Sequence, residues 1–280
     1  MLPPMVERSV GRYLSHVDRL LPGRVTGFYV VGSTALGAYR ERRSDIDFVA
    51  VVDGDLGPAA LRRLRLQHAW SAAGTGTTAI RRRRSPLTGT CNGYFIRADD
   101  LATPVTEIVP VAGHSGHLFE VGVGGSDISP VGWKVLAERG IAVRGPEPAS
   151  LPLDPQLDLM VSWNLGNLDH YWRPWAEQVR RAPGSFRSRP RWSTAWGTLG
   201  APRLHHSIAT GAVISKEAAG GYALDVFPAR WHPLIGDALA YWRGEPASLR
   251  LSRDERRLRT AEFVLEVIDD AHATAPSDRA

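Results

Sequence analysis

The spacing of apolar and polar residues alternates between helical and strand periods over the first half of the chain. Apolar residues at helical spacing predict an opening helix over residues 5–21. Runs of β-branched and aromatic residues then predict four strands, at "VTGFYVV" (25–31), "DIDFVAVV" (45–52), "TCNGYFIRA" (90–98) and "HLFEVGV" (117–123). Helices are predicted between and after them, over residues 34–40, 57–73 and 130–140, and a further strand is predicted directly after Gly140. This half is therefore expected to be an α/β domain with a small mixed sheet.

The second half of the chain shows only helical spacing. The stretch "PEPASLPLDP" (146–155) has four prolines and no regular period, so we place a domain boundary there, between residues 1–148 and 149–280. Beyond it, apolar residues at helical spacing predict helices over 156–181, 190–211, 215–225, 231–243 and 250–273. The predicted fold class is α+β, an N-terminal α/β domain followed by a C-terminal helical bundle.

Composition excludes several classes of protein. Hydrophobic residues make up 43% of the 280 residues and charged residues 22%, which is typical of a globular protein. No apolar run approaches the roughly 20 residues that span a membrane, and the first residues lack the apolar core of a signal peptide. We therefore expect a cytoplasmic protein with no membrane partner, and a monomer. The single Cys91 excludes an internal disulfide and a multi-cysteine metal site.

The net charge of +5 suggests an anionic partner such as a nucleotide, a phosphate or a nucleic acid. An arginine-rich proteome would give the same charge without any such partner. The run "RRRR" at 81–84 is expected to be a solvated loop, and an RNA-contacting patch is the alternative.

Two aspartates lie two residues apart in the second predicted strand. Side chains at i and i+2 of a strand share a face, so Asp45 and Asp47 are expected to project together. Two adjacent carboxylates repel each other unless a cation neutralises them. Mg²⁺ prefers such oxygen ligands and completes its coordination with water and substrate phosphates. Turn caps at a strand end are the structural alternative for this pair.

A glycine and a serine end the preceding strand. Gly32 and Ser33 lie where a strand passes into a helix, and such a turn offers backbone N–H groups and a hydroxyl to an anion. The fold would bring this phosphate-binding turn beside the two aspartates. The combination indicates phosphoryl or nucleotidyl transfer, which depends on positioning and charge neutralisation.

The stretch "GSTALGAYRERRSDIDFVAV" resembles the nucleotidyltransferase superfamily that includes DNA polymerase β. "WGTLGAPRLHHSIATGAVISKEAAGGYAL" (196–224) is similar to the helical domain of the streptomycin/spectinomycin adenylyltransferases. The resemblance implies that ATP is the co-substrate and Mg²⁺ the cofactor. It assigns nucleotide binding to Gly32, Ser33, Ser44, Arg203 and Lys216, and metal binding to Asp45 and Asp47. Ser215 is expected to cap a helix with Lys216 in its first turn.

The third acid that the resemblance implies is missing. In the resembled enzymes an acid on the next strand deprotonates the acceptor hydroxyl, and our alignment puts Asn92 in its place. An amide cannot accept a proton at neutral pH. Three explanations stay open. Another acid takes over (Asp99, Asp100, Glu107 or Glu120) or the alignment is shifted; the acceptor is already ionised; or the protein binds nucleotide without transferring it.

The acceptor is expected at the start of the second domain. "SWNLGNLDHYWRPWAEQ" (162–178) is rich in aromatic residues, and candidate acceptor-binding residues are Asn167, Asp169, Tyr171 and Trp172. Helix packing is the alternative for its tryptophans. The resulting hypothesis is a Mg²⁺-dependent adenylyltransferase that modifies a small molecule, an aminoglycoside or aminocyclitol by resemblance, as in antibiotic resistance. A transferase acting on a phosphate-bearing or tRNA acceptor and a non-catalytic nucleotide sensor are the alternatives.

Overall fold

The computed structural model describes residues 2–69, 90–115, 118–123, 128–181, 191–247 and 251–276. The chain divides into two compact units, Met1–Leu157 and Asp158–Ala280. The basic run at 81–84 and most of the basic stretch 180–191 lie outside the described residues.

The first unit is built on a six-stranded mixed sheet. In chain order its strands are β1 (Val25–Val30), β2 (Ile46–Val52), β3 (Cys91–Arg97), β4 (Ala112–Ser115), β5 (Leu118–Glu120) and β6 (Ile141–Arg144). They lie in the order β5-β4-β3-β2-β1-β6. Within the described sheet only β2 and β3 run parallel, and the other neighbours are antiparallel. A parallel pair needs a crossover connection, and the residues between β2 and β3 supply it.

The described part of the first unit also contains four α-helices. They are α1 (Pro4–Leu20), the short α2 (Gly32–Ala35), α3 (described over 58–69) and α4 (Pro130–Arg139). The apolar face of α1 is buried together with the side chains of the central strands. Phe28 and Phe48 stack with ring centroids 4.8 Å apart, and Phe95 meets Phe48 edge-on at 5.8 Å. These aromatic residues are the ones whose β propensity predicted the strands.

The second unit is helical in its described residues. It contains α5 (Met160–Asn167), a π-helical turn (Leu168–Trp172), α6 (Arg173–Arg181), α7 (Arg191–Thr210), α8 (Lys216–Val226), α9 (His232–Arg243) and α10 (Arg253–Thr274). One apolar core joins these helices. The predicted cap of α8 is confirmed, because Ser215 Oγ accepts the Ala218 N–H at 3.2 Å. The α+β class and the split between sheet and helices are therefore confirmed.

Two details of the predicted elements are wrong. The helix expected over 34–40 begins at Gly32 and ends at Ala35, and Gly37 follows in the left-handed region at φ +69°. Of the strand expected over 117–123, the described residues form only the short β5 (Leu118–Glu120). Its partner strand β4 was not predicted. None of the helices in the described part of the chain is long and apolar enough to cross a membrane.

Candidate functional site

Asp45 and Asp47 lie at the start of β2, next to the start of β3. Asp45 directly precedes β2, whose first residue donates its N–H to the Thr90 carbonyl at 2.8 Å. The parallel register pairs Asp47 with Asn92. Paired residues of neighbouring strands share a face, so the amide of Asn92 belongs to the same group of polar side chains as the aspartates.

Asn92 binds Asp45 directly. Its Nδ2 donates to Asp45 Oδ2 at 3.1 Å, and its Oδ1 accepts the Thr90 hydroxyl at 3.1 Å. Asn92 is only 3% exposed, while the two aspartates are partly exposed. The structure thus brings the two candidate metal ligands and the substituted base position together at one end of the central strands.

Gly32 packs against Asp47. Its φ of +59° lies in the left-handed region, and a Cβ built on it would lie 2.7 Å from Asp47 Cγ and closer still to Oδ2. The neighbouring Val31 donates its N–H to the Asp47 carbonyl at 2.9 Å. Any side chain at position 32 would have to displace the Asp47 carboxylate, which explains the glycine physically.

The serines predicted to bind phosphate differ in their surroundings. Ser33 Oγ is buried and has no hydrogen-bond partner among the described residues, and the same holds for the neighbouring Thr34 Oγ1. A buried hydroxyl without a partner is costly unless a ligand satisfies it. Ser44 is 2% exposed, and its Oγ accepts the Arg40 N–H at 3.1 Å. The structure therefore gives Ser44 a contact that closes the turn before Asp45.

The negative charge of the aspartates affects two nearby groups. Burial, and then the charge of Asp47, raise the pKa of the Cys91 thiol to about 12. Burial is also the first cause that raises the pKa of Tyr39, with contributions from Glu41, Cys91 and Asp45. Both groups keep their protons at neutral pH.

The donor set at this site fits a magnesium ion. Asp45 and Asp47 provide two carboxylates, which are the hard oxygen ligands that Mg²⁺ prefers, and Mg²⁺ usually takes only one or two of them from a protein. Within the described residues no third His, Cys, Asp or Glu joins them in a metal-binding cluster. The remaining ligands would be water and phosphate oxygens, next to the buried Ser33 hydroxyl.

The two predicted cations of the second unit both lie near the connection between α7 and α8. Arg203, in α7, donates from Nε to the Ile214 carbonyl at 3.1 Å, two residues before the first residue of α8. That residue is Lys216, whose Nζ lies 4.5 Å from the ring centroid of Trp196 and 5.0 Å from that of Trp242. Cation–π attraction therefore restrains the lysine, even though its charge opposes the dipole of α8.

The candidate acceptor residues are divided between core and surface. Trp172 is 5% exposed and belongs to the apolar core of the second unit, where a Cβ on Gly200 would collide with its ring. Trp172 therefore packs in this core, and its assignment to acceptor binding stays a prediction. Tyr171 is 46% exposed and meets the Trp172 ring edge-on. Asn167 is partly buried.

Asp169 lies in the π-helical turn with charged neighbours. It is partly exposed, accepts from His272 Nε2 at 3.1 Å and pairs with Arg173. The turn itself was not predicted, because helical spacing of apolar residues does not distinguish a π turn from an α turn. Such turns often occur at functional sites.

Sequence reasoning also missed three residues that position the predicted ones. Thr90 holds Asn92, and Trp196 and Trp242 hold Lys216. Thr90 precedes Asn92 by two residues, so alternation along β3 could have indicated their contact. No sequence signal joins Trp242 to Lys216, because their contact depends on how α8 and α9 pack.

Two family models match parts of this chain. The model of the nucleotidyltransferase domain matches residues 11–72, and that of the aminoglycoside adenylyltransferase C-terminal domain matches residues 167–267. A search of the curated proteins found no significant match.

Among solved structures, spectinomycin adenyltransferase AAD(9) from Enterococcus faecialis, with ATP and spectinomycin, superposes with a TM-score of 0.68. The two share 14% sequence identity, and the superposition covers 94% of this chain and 99% of the other. This likeness shows a shared fold. Taken with the two family matches, it shows a chain with the fold of an aminoglycoside adenylyltransferase, whose first unit carries a match to the nucleotidyltransferase domain and whose second unit carries a match to the aminoglycoside adenylyltransferase C-terminal domain.

Proposed function

We propose that the protein transfers AMP from ATP to a small-molecule acceptor and releases pyrophosphate. The observation that carries this proposal is the grouping of Asp45, Asp47 and Gly32 at one end of the sheet, within a matched nucleotidyltransferase domain. Two carboxylates beside a buried, unpartnered serine hydroxyl suit a metal-bound polyphosphate better than a structural turn.

Each residue has a proposed task. Asp45 and Asp47 would hold Mg²⁺, which when bound neutralises phosphate charge in the transition state. Ser33 would donate a hydrogen bond from its hydroxyl to a phosphate oxygen. Gly32, which has no side chain, leaves room for the Asp47 carboxylate. Arg203 and Lys216 contribute positive charge to the triphosphate, as the resemblance implies. Ser44 supports this site by closing the turn before Asp45.

The resemblance favours an aminoglycoside- or aminocyclitol-like acceptor. Asp169 and Tyr171, both reaching the surface of the second unit, are the residues we propose for contact with a polar or sugar-like molecule. Asn167, one turn earlier and partly buried, is the third candidate. AMP transfer to such a molecule would protect a bacterium from an antibiotic, and this role belongs to the proposal.

The test replaces both metal ligands and measures nucleotide binding. We expect the variant Asp45→Asn/Asp47→Asn to lose Mg²⁺-dependent binding of a non-hydrolysable ATP analogue in calorimetric titration. Transfer activity should fall by about 10²–10³-fold or more, because several kcal/mol of charge stabilisation are lost.

Asp53→Asn is the matched control. Asp53 directly follows β2 as Asp45 directly precedes it, so the control removes a carboxylate from the opposite end of the same strand. It should bind the analogue like the wild type. Undiminished binding by the double variant would contradict the proposal, and binding without AMP transfer to any acceptor would identify a nucleotide sensor instead.

A further inference from the structure

The amide of Asn92 is held in one orientation by its two neighbours. A carboxylate can only accept hydrogen bonds, so the atom that faces Asp45 Oδ2 at 3.1 Å must be the amide nitrogen. The amide oxygen then accepts the Thr90 hydroxyl. Asn92 is therefore a positioning residue for Asp45, and neither of its polar atoms can take a proton from an acceptor at neutral pH.

The other candidate acids of the first unit lie too far from Asn92 to act as the base in its place. Asp99, Asp100 and Glu107 belong to the connection that leaves the far end of β3, and five residues at about 3.3 Å each separate Asn92 from Arg97. Asp100 is also paired with Arg97 at 3.1 Å. Glu120 is exposed on β5, two strands or about 10 Å from β3.

The segment that leads into β3 offers no substitute base either. Residues 70–89 lie outside the described part of the chain, but their sequence contains no Asp, Glu or His. Among the other residues that the structure does not describe, the first unit contributes only two groups that could act as a base at neutral pH. They are His117 and Asp127. Both residues are therefore replaced in the test of the inference.

The charge next to the aspartates is positive. The turn that leads to Asp45 carries Arg40, Arg42 and Arg43 and one acid, Glu41. Arg40, Glu41 and Arg42 are exposed, and the turn is closed by the Arg40 carbonyl, which accepts the N–H groups of Arg43 and Ser44. A cationic turn attracts an anionic molecule and repels a polycationic one.

From these observations we infer that the acceptor attacks through an oxygen that is already ionised, in a phosphate or a carboxylate, rather than through a neutral hydroxyl. The inference rests on the proposed adenylyl transfer and changes only the group that receives AMP. A hydroxyl must lose its proton on attack, and removal of a general base typically costs about 10²–10⁴-fold in rate. A phosphate or carboxylate carries no such proton at neutral pH. The lack of a general base at position 92 would therefore not slow its attack.

The reaction balances without a proton acceptor. A lone pair of the acceptor oxyanion forms a new bond to the α-phosphorus of ATP. The bond between that phosphorus and the oxygen that bridges to the β-phosphate breaks, and its electron pair leaves with pyrophosphate. The product is a phosphoanhydride when the acceptor is a phosphate, and an acyl adenylate when it is a carboxylate.

The test compares acceptor classes with ATP labelled in its α-phosphate. Sugar phosphates represent the first class and small carboxylic acids the second, with hydroxylamine added to trap acyl adenylates. Spectinomycin and streptomycin represent hydroxyl acceptors. We expect the wild type to label at least one anionic class about 10²-fold faster than the hydroxyl acceptors. Asn92→Glu should raise the hydroxyl rate relative to the anionic rate, and Asn92→Gln, which keeps the amide, should not.

Two further variants, His117→Gln and Asp127→Asn, test for a base outside the described residues. Equal or faster labelling of the hydroxyl acceptors by the wild type would overturn the inference, and loss of that labelling in either variant would identify the base. Labelling of neither class would also overturn it, provided that calorimetry shows Mg²⁺-dependent ATP binding. Absence of ATP binding would instead overturn the proposed function itself.

Discussion

At the residue scale, the site depends on one close approach between two strand ends. Gly32 lies against the Asp47 carboxylate with a backbone conformation that L side chains rarely adopt. Two requirements therefore meet at one position: the left-handed φ favours glycine, and the carboxylate excludes a Cβ. Gly37 shares the first requirement, with φ +69°, but nothing lies within 4 Å of a Cβ built on it.

This difference allows the two requirements to be separated by experiment. We expect Gly32→Ala and Gly37→Ala each to lower the free energy of unfolding by about 1–2 kcal/mol, because alanine is strained at positive φ. Only Gly32→Ala should also weaken Mg²⁺-dependent ATP binding, by about tenfold or more, because it displaces Asp47, the proposed metal ligand.

Thermal unfolding and calorimetric titration of the two variants check this prediction. Equal ATP affinity in both variants would mean that the Asp47 carboxylate adapts to the added methyl group. Loss of binding in both would mean that the conformation of the whole turn matters more than the contact with Asp47.

At the element scale, three helices of the second unit fix the position of one lysine. Trp196 comes from α7, Lys216 begins α8 and Trp242 lies near the end of α9. Trp242 is 8% exposed, so its ring is held by the core, whereas Trp196 and Lys216 are partly exposed. The aromatic rings thus keep a cation near a helix N-terminus, where it would otherwise be unfavourable.

Trp196→Leu should release this lysine. If Lys216 binds the triphosphate, we expect the variant to weaken ATP binding about two- to fivefold, which corresponds to about 0.5–1 kcal/mol for a partly exposed cation–π contact. The same substitution in a Lys216→Met background should have no further effect on ATP binding.

This double-mutant cycle separates the lysine from general damage to the helices. Circular dichroism and thermal unfolding of each variant supply the structural control. An equal loss of ATP affinity in both backgrounds would show that Trp196 acts by packing and does not act through Lys216.

At the scale of the whole molecule, the stability of the sheet is linked to pH through a buried histidine. His114, on β4, is 4% exposed, and its Nε2 lies 2.7 Å from the Tyr13 hydroxyl. Burial, and to a lesser degree the charge of His68, lower the pKa of His114 to about 3. The unfolded chain would take up this proton near the ordinary histidine pKa of about 6.5.

The sign of the resulting pH dependence follows from this difference. Between about pH 6.5 and pH 3 the unfolded chain binds a proton that the folded protein does not. The free energy of unfolding should therefore fall as the pH falls, by up to about 1.4 kcal/mol per pH unit from this residue. His114→Gln should flatten the dependence over that range.

Urea unfolding at about pH 7 and about pH 5 checks the slope. His16→Gln, at an exposed position of α1, is the matched control and should leave the slope of the wild type unchanged. An unchanged slope in His114→Gln would mean that other groups dominate the acid sensitivity of the first unit.

Much of this architecture could be predicted because its signals are local. Strands β1, β2 and β3 carry runs of β-branched and aromatic residues, and α4 begins at a proline and ends before a glycine. The pair Asp45 and Asp47, with Gly32 and Ser33 before it, is likewise a short pattern whose meaning depends on one strand-turn-strand unit. The alignment of Asn92 with the third acid of the resembled enzymes stays a prediction, and the β2–β3 register pairs Asn92 with Asp47.

What could not be predicted depends on contacts distant in sequence or on weak local signals. Strand β4 has the sequence Ala-Gly-His-Ser, which lacks β-branched residues. It is a strand because it pairs with β3 and β5. The orientation of the Asn92 amide follows from Asp45, 47 residues earlier. The burial of Trp172 follows from its packing against Gly200 in another helix.

The contact between Gly32 and Asp47 also limits how this enzyme can diversify. Every amino acid other than glycine adds at least a methyl group at this position. In a library of random single variants selected for nucleotide turnover, position 32 should therefore return one amino acid only, whereas Gly37 should tolerate replacements with modest losses. New acceptor chemistry would have to evolve around this residue, through positions where a larger side chain does not collide with a carboxylate.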